Sequence, residues 1–493
     1  MSTYLQLNLS RKEAREKIKE YSVRFWEVRF YKPGEKEEFF VGVDPIDGSV
    51  VKLKHVLADE AAGENLPRDE AFNEARGFLI EQGYRPSEFR MVENSMRRRL
   101  NRVDYEFSWR RSGELENAPF EVEVGIQGGR VGTFSPNLNI PDEFTHTYKS
   151  RRSPGIALNM VFLGLGAVLV IAAVYLGLQY YKKDEFDKRY AAVLAAASGA
   201  LLFLSVVNSL PGVLYNVPSS ASPSLRLVSM IIGGAIAALV GGGITLAVAG
   251  SGKRLSKKVL DFDAVDGILR TKGIRRRIRY SALRGFCLAF ILLGIATLFY
   301  LVGSEFFGVW MPEESPYLRA VPTYVPALMS LTTGGTAAIS EETVFRLFSI
   351  PLLKRYLKYT PLAVFLSSLI WGLGHTTFVV LPWYTRIIEV TILGIILGWA
   401  FLRYDLVTVI SAHFSMNAIL VGAPMLLAGT TWLKLNGVIS IIIASLPVLI
   451  SATLSAYEKY GTPPDPAPRD RPQRVPLQSF EHTYHVARLE LGA

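Results

Sequence analysis

The chain has 493 residues, of which 49 % are hydrophobic and 20 % charged, with a formal net charge of +10 at pH 7. That length holds two or three domains, and the apolarity exceeds that of an ordinary soluble protein. The basic balance does not point to nucleic acid, because the lysines and arginines crowd next to apolar segments, where lipid headgroups and membrane orientation account for them; the single cysteine, Cys287, excludes a disulfide framework and a cysteine zinc site.

Residues 1–150 are charge-rich. Leu9–Tyr21 reads as a short helix, followed by the strand FWEVRFYK at 25–32 and by EEFFVGVDPIDGSVVKL at 37–53, where Asp44, Pro45, Asp47 and Gly48 supply turn chemistry between two strands. The pattern then returns, with a helix near 68–82, the strand YEFSW at 105–109 and the hairpin-like FEVEVGIQGGRVGTF at 120–134. This predicts a soluble α+β domain of two helix-plus-hairpin repeats. Its V-D-P-x-x-G-x-V run at 43–50, between amphipathic strands, is similar to PepSY-type domains, and the resemblance implies a module lying outside the cytoplasmic membrane. The N-terminus carries no apolar core of about 7–15 residues and so is not a signal peptide.

From Gly155 to about Tyr457, apolar runs recur that reach the roughly 20 residues a bilayer crossing needs. They predict an α-helical polytopic membrane bundle over 151–458, with about nine spans near 155–181, 190–215, 225–250, 282–303, 321–341, 360–380, 386–402, 405–428 and 436–456. Residues 459–493, proline-rich between Gly461 and Pro476, are expected to form a disordered tail. One set of short loops carries eighteen lysines and arginines and the alternate set four. The rich side should be cytoplasmic, which places residues 1–150 outside and the tail inside. Lys149, Arg151 and Arg152 stand against that orientation, and a domain exported without a signal leads to the expectation of an upstream segment.

An ionisable side chain within a span costs at least a few kcal/mol, so each is a candidate functional residue. Glu341, Glu342 and Arg346 are expected at the cytoplasmic end of the fifth span, His375 in the sixth, Glu389 in the seventh, and His413 with Asn417 in the eighth. Glu342 and Arg346 are four apart and can pair along one helix face, while Glu341 is turned by about 100° and can face the bundle interior. His413 and Asn417, also four apart, present an imidazole and an amide toward one point. The plainer readings are a structural ion pair at a helix end and packed histidines bonded to neighbouring carbonyls. Glu389 fits no motif.

E-E-x-x-x-R at 341–346, an aromatic four residues before a histidine at Trp371–His375, and H-x-x-x-N at 413–417 follow one another on successive apolar helices. Together they resemble the CAAX prenyl endopeptidase and bacteriocin-processing (CPBP) family of intramembrane proteases, over about residues 320–430. That family usually has phenylalanine where this chain has Trp371, an aromatic expected to pack rather than react. The resemblance implies hydrolysis of a peptide bond in a membrane-associated protein or peptide, with membrane lipid as the other partner. Glu341, oriented with His375, would activate a water, and His413 and Asn417 would donate to the oxyanion. In the competing version Glu341, His375 and His413 hold a zinc ion with water in the fourth position. The cofactor is thus none or zinc, and the metal-free version is preferred. Outside enzymes, the same helices could serve a non-catalytic sensor, immunity or scaffold protein, or a transporter with a proton relay, although no inverted repeat is detectable.

Overall fold

The structure, a computed structural model, describes residues 1–111, 115, 117–260, 274–313 and 321–460. The proline-rich segment from 461 on, and Arg270 and Lys272 of the basic loop, lie outside the described residues. The chain divides into two units, one of Met1–Arg151 with Pro211–Met230, the other of Arg152–Leu210 with the residues from Ile231 on.

In the first unit, α1 (Ser2–Asn8) and α2 (Arg11–Glu20) precede β1 (Trp26–Tyr31), β2 (Glu38–Val43) and β3 (Val50–Val56). Ser10 caps α2 in a reciprocal bond with Glu13, which stops the helix from fraying at its start. After α3 (Arg68–Glu81) come β4 (Phe89–Arg98), β5 (Val103–Arg111), β6 (Phe120–Gln127) and β7 (Arg130–Leu138). The seven strands form one antiparallel sheet in the order β1-β2-β3-β7-β6-β5-β4. Each half is a helix followed by a meander, three strands in the first and four in the second, and the two last strands pair, with Leu53 opposite Phe134. Alternation along β5 and β6 buries Val103, Tyr105, Phe107 and Trp109 with Phe120, Val122, Val124 and Ile126. Helix α3 lays Ala71, Ala75 and Leu79, spaced by four, into the same core.

Pro211–Met230 joins this unit because β1 and its turn hold it. The Arg29 guanidinium, paired with Glu38, donates to the carbonyls of Tyr215 at 2.5 Å and Val217 at 2.7 Å, and the Gly34 amide donates to the Ser219 carbonyl at 2.9 Å.

The second unit is helical: α4 (Asp142–Lys182), α5 (Lys188–Asn208), α6 (Leu210–Tyr215), α7 (Pro223–Leu260), α8 (Ile274–Phe306), α9 (Leu328–Glu341), α10 (Ile350–Leu357), α11 (Thr360–Leu373), α12 (Thr385–Arg403), α13 (Leu406–Leu426), α14 (Thr431–Ala444) and α15 (Leu446–Tyr460), of which residues 142–151 of α4, 211–215 of α6 and 223–230 of α7 are counted in the first unit. Among the described residues six helices are long and apolar enough to cross a membrane, namely α4, α5, α7, α8, α12 and α13, and α14 with α15, bent by 51°, can supply a seventh. The remaining two expected spans take another form. Helix α9 does not end at Glu341 but runs on through a π-helical stretch, Glu342–Ser349, into α10. Glu341 therefore stands mid-way along a continuous helical run, whose charges at Glu342 and Arg346 are paired inside the protein. Helix α11 stops at Leu373, and residues 374–384 form an irregular segment tied to Trp310 through a bridge at Leu381.

The connection between α4 and α5 is held to the end of α7 by ion pairs. Lys253 meets Asp187 at 2.7 Å, while Arg254 and Lys258 both meet Glu185 and hold its carboxyl down at about 2. Arg277 approaches Asp405 at 3.8 Å. The helices that carry the motifs meet at glycines. A Cβ on Gly285 of α8 would lie 2.4 Å from the Thr408 carbonyl of α13, and one on Gly372 of α11 would lie 2.9 Å from the Ile387 carbonyl of α12. On Gly334 of α9 it would lie 3.3 Å from the Phe414 carbonyl of α13. Only a residue without a side chain lets backbones approach this closely.

Candidate active site

The run from α9 into the π-helical stretch contributes Glu341, Glu342 and Arg346; α11 contributes Trp371, with His375 in the turn just beyond it; and α13 contributes His413. Glu342 is fully buried and Arg346 is 1 % exposed. Two such groups persist away from water only when paired and hydrogen-bonded. Arg346 Nη1 donates to Glu342 Oε1 at 3.0 Å, and Nη2 reaches the Gly394 carbonyl at 3.4 Å. The same Glu342 oxygen lies 2.8 Å from His413 Nδ1. The helical pair expected from the spacing is present, and it has a third member from a helix 71 residues further along the chain. Glu342 Oε2 has no hydrogen-bond partner among the described residues, so one buried acceptor stays open.

Trp371 is the hub of the cluster. Its indole N–H donates to the Glu341 carboxylate, and its carbonyl lies 3.0 Å from His375 Nδ1. The Arg346 guanidinium lies 4.2 Å from the indole centre. The rings of His375 and His413 meet the indole edge-on, at 5.2 Å and 5.5 Å between centres. Both imidazoles are thus held through Nδ1, by a carbonyl and a carboxylate, which leaves Nε2 of each to face other groups.

Of the residues picked from the sequence, Glu341, Glu342, Arg346, His375 and His413 come together. Asn417 is half-buried, one turn beyond His413 on α13, and makes no hydrogen bond to the cluster among the described residues. Trp371 does more than pack, since it carries a donor to Glu341; the signal was available, because indole has an N–H that the family's usual phenylalanine lacks. The link from Glu342 to His413 had no sequence signal. For zinc, among the described residues no three His, Cys, Asp or Glu side chains converge as a metal site. As placed, the Glu341 carboxylate is engaged by the Trp371 indole and the Nδ1 atoms of His375 and His413 by the Trp371 carbonyl and Glu342, which leaves Nε2 of each imidazole for another partner.

Residues 323–419, which contain all three motifs, match the family described as Type II CAAX prenyl endopeptidase Rce1-like. This segment is Rce1-like. Over 89 residues the chain is 29 % identical to the sporulation-killing factor biosynthesis protein SkfC of Bacillus subtilis (strain 168), a stretch that covers 18 % of each chain. The chain thus matches less than a fifth of that curated relative's length. No solved structure matches. The Rce1-like match and the apolar helices make the chain an integral membrane protein, and the family supports a protease in general terms.

Proposed function

We propose that the chain is an intramembrane endopeptidase that hydrolyses a peptide bond of a membrane-associated protein or peptide. The observation that carries this reading is the convergence of Glu341, His375 and His413 on Trp371, with Glu342 against His413 and Arg346 against Trp371. Glu341, its carboxylate held by the indole, takes a proton from a water oriented with His375 as that water adds to the scissile carbonyl, and returns the proton to the leaving amine. His413, held by Glu342, donates to the oxyanion, with Asn417 as second donor once substrate fills the site. The open oxygen of Glu342 is a place for an O–H or N–H of water or substrate.

Comparing cells that carry Glu341→Ala with wild type reveals membrane proteins that accumulate, and these serve as substrates for the purified protein. Glu341→Ala and His375→Ala should each abolish their cleavage while leaving thermal unfolding unchanged; near wild-type cleavage by either variant sinks the assignment.

In this reading the first domain lies outside the cytoplasm and the tail inside, following the loop charges. The ion pairs of Glu185 and Asp187, between α4 and α5, with Lys253, Arg254 and Lys258 in the last turns of α7 accord with these helix ends lying on one side. Single cysteines placed within residues 20–130, in a Cys287→Ser background, should react with a membrane-impermeant thiol reagent on intact cells. Reaction only after lysis would reverse the orientation.

A further inference from the structure

Glu389 fits no motif, yet it is 2 % exposed and well placed. One turn earlier on α12, Arg386 donates from Nη1 to Glu389 Oε2, and the Tyr300 hydroxyl of α8 lies 3.4 Å from both side chains. The same guanidinium lies 5.0 Å from the centre of the Phe378 ring. Phe378 in turn stacks on His375, with 5.9 Å between centres and 17° between planes. The second ring against His375 is Trp371, met edge-on and itself backed by Arg346 and Glu342. His375 therefore meets two aromatic rings, one edge-on and one stacked, each backed by a guanidinium that a buried glutamate holds.

The stacked ring has a purpose that the edge-on one does not meet. The bond from Nδ1 to the Trp371 carbonyl fixes one nitrogen of His375 but leaves the ring free to tilt about that contact. A ring stacked on its face fixes the plane. Phe378 can do this only if it is itself held, and it lies on the irregular 374–384 segment, where no helix holds it. A guanidinium over an aromatic face supplies that hold, and a buried carboxylate keeps the guanidinium in place.

We propose that Arg386 and Glu389 are a positioning pair for His375, acting through Phe378. The inference rests on the proposed role of His375 in the catalytic centre, and its geometric part can be read without proteolysis. In the full-length protein in lipid nanodiscs, Arg386→Ala should lower kcat about tenfold with KM little changed, since tilting the imidazole misplaces a reacting group without altering substrate contacts. Arg386→Lys, which keeps a cation over the ring, should recover most of the loss. In a Phe378→Leu background, Arg386→Ala should cost little more, because the relay is already cut. In parallel, the rate at which diethyl pyrocarbonate modifies His375, followed by mass spectrometry of its peptide, should rise in Arg386→Ala and in Phe378→Leu, and not further in the double variant. Additive losses, or a modification rate equal to wild type in Arg386→Ala, would overturn the proposal. If the wild-type protein cleaves nothing, the protease reading fails and the modification rates alone decide the pair.

Discussion

Trp371→Phe is the most discriminating single change in the cluster, because it removes the N–H with its defined partner, at the cost of three ring atoms, and keeps a six-membered aromatic ring. The indole N–H that donates to Glu341 disappears. A phenyl ring retains a face for Arg346, now 4.2 Å from the indole centre, and edges for His375 and His413. A hydrogen bond to a charged group contributes about 1.5–3 kcal/mol. If that bond holds Glu341 in place at the transition state, its loss lowers kcat/KM by about 10- to 150-fold. The assay is cleavage in proteoliposomes of a protein that accumulates in Glu341→Ala cells, with each preparation corrected for its folded fraction by thermal unfolding. Trp371→Ala, by contrast, should lower the folded fraction as well, since removing a large buried side chain costs about 3–5 kcal/mol. A Trp371→Phe protein with wild-type kcat/KM would refute the role given to the indole, and with it the claim that Glu341 must be held to act.

Arg346→Ala leaves Glu342 buried without its cation, so stability should fall by about 3–5 kcal/mol; an unfolding midpoint equal to wild type would contradict the burial of the pair. Strong chelation should leave cleavage unchanged and the purified protein should contain far less than one zinc per chain. His413→Gln should keep measurable activity, since an amide still donates to an oxyanion but ligates zinc poorly; chelator-sensitive cleavage with stoichiometric metal would overturn the metal-free mechanism. In the first domain, burial, followed by the contact and repulsion of Glu106 and the charge of Glu93, pushes the Glu123 carboxyl from 4.5 up to about 8. The folded state then keeps a proton that the unfolded chain releases, so this contribution is present at low pH and is lost as pH rises from about 4.5 toward 8. Glu123→Gln should flatten that dependence, as read from hydrogen exchange of β6 amides across the range; an unchanged slope would dissociate it from this residue.

Sequence alone displayed what depends on local periodicity. Strands β5 and β6 were legible because alternate residues are buried, and α3 because its small and apolar residues recur every fourth position. The short α1 and the edge strand β4 were not, since β4 buries little beyond Phe89 and so lacks an alternating signature. The E-E-x-x-x-R, aromatic–histidine and H-x-x-x-N motifs were legible as motifs. Their contacts were only partly so. A spacing of four says which residues share a helix face, but not that Glu342 meets a histidine on another helix. The apolar-run reading also cut α9 at the first carboxylate, because hydropathy does not register that a charge can be neutralised by a partner inside the bundle.

The glycines at positions 285, 334 and 372 bear on how this centre could change. Where two helices meet through side chains, a larger residue on one can be matched by a smaller one on the other, and their separation drifts by fractions of an ångström without loss of the fold. Where a carbonyl sits against a bare Cα, no such exchange is available, and any added carbon forces the helices apart. The separations of α8 and α9 from α13, which carries His413, and of α11, which carries Trp371, from α12 therefore have little room to drift. The same closeness reaches the irregular 374–384 segment, where a Cβ on Gly155 of α4 would lie 3.2 Å from the Thr376 carbonyl.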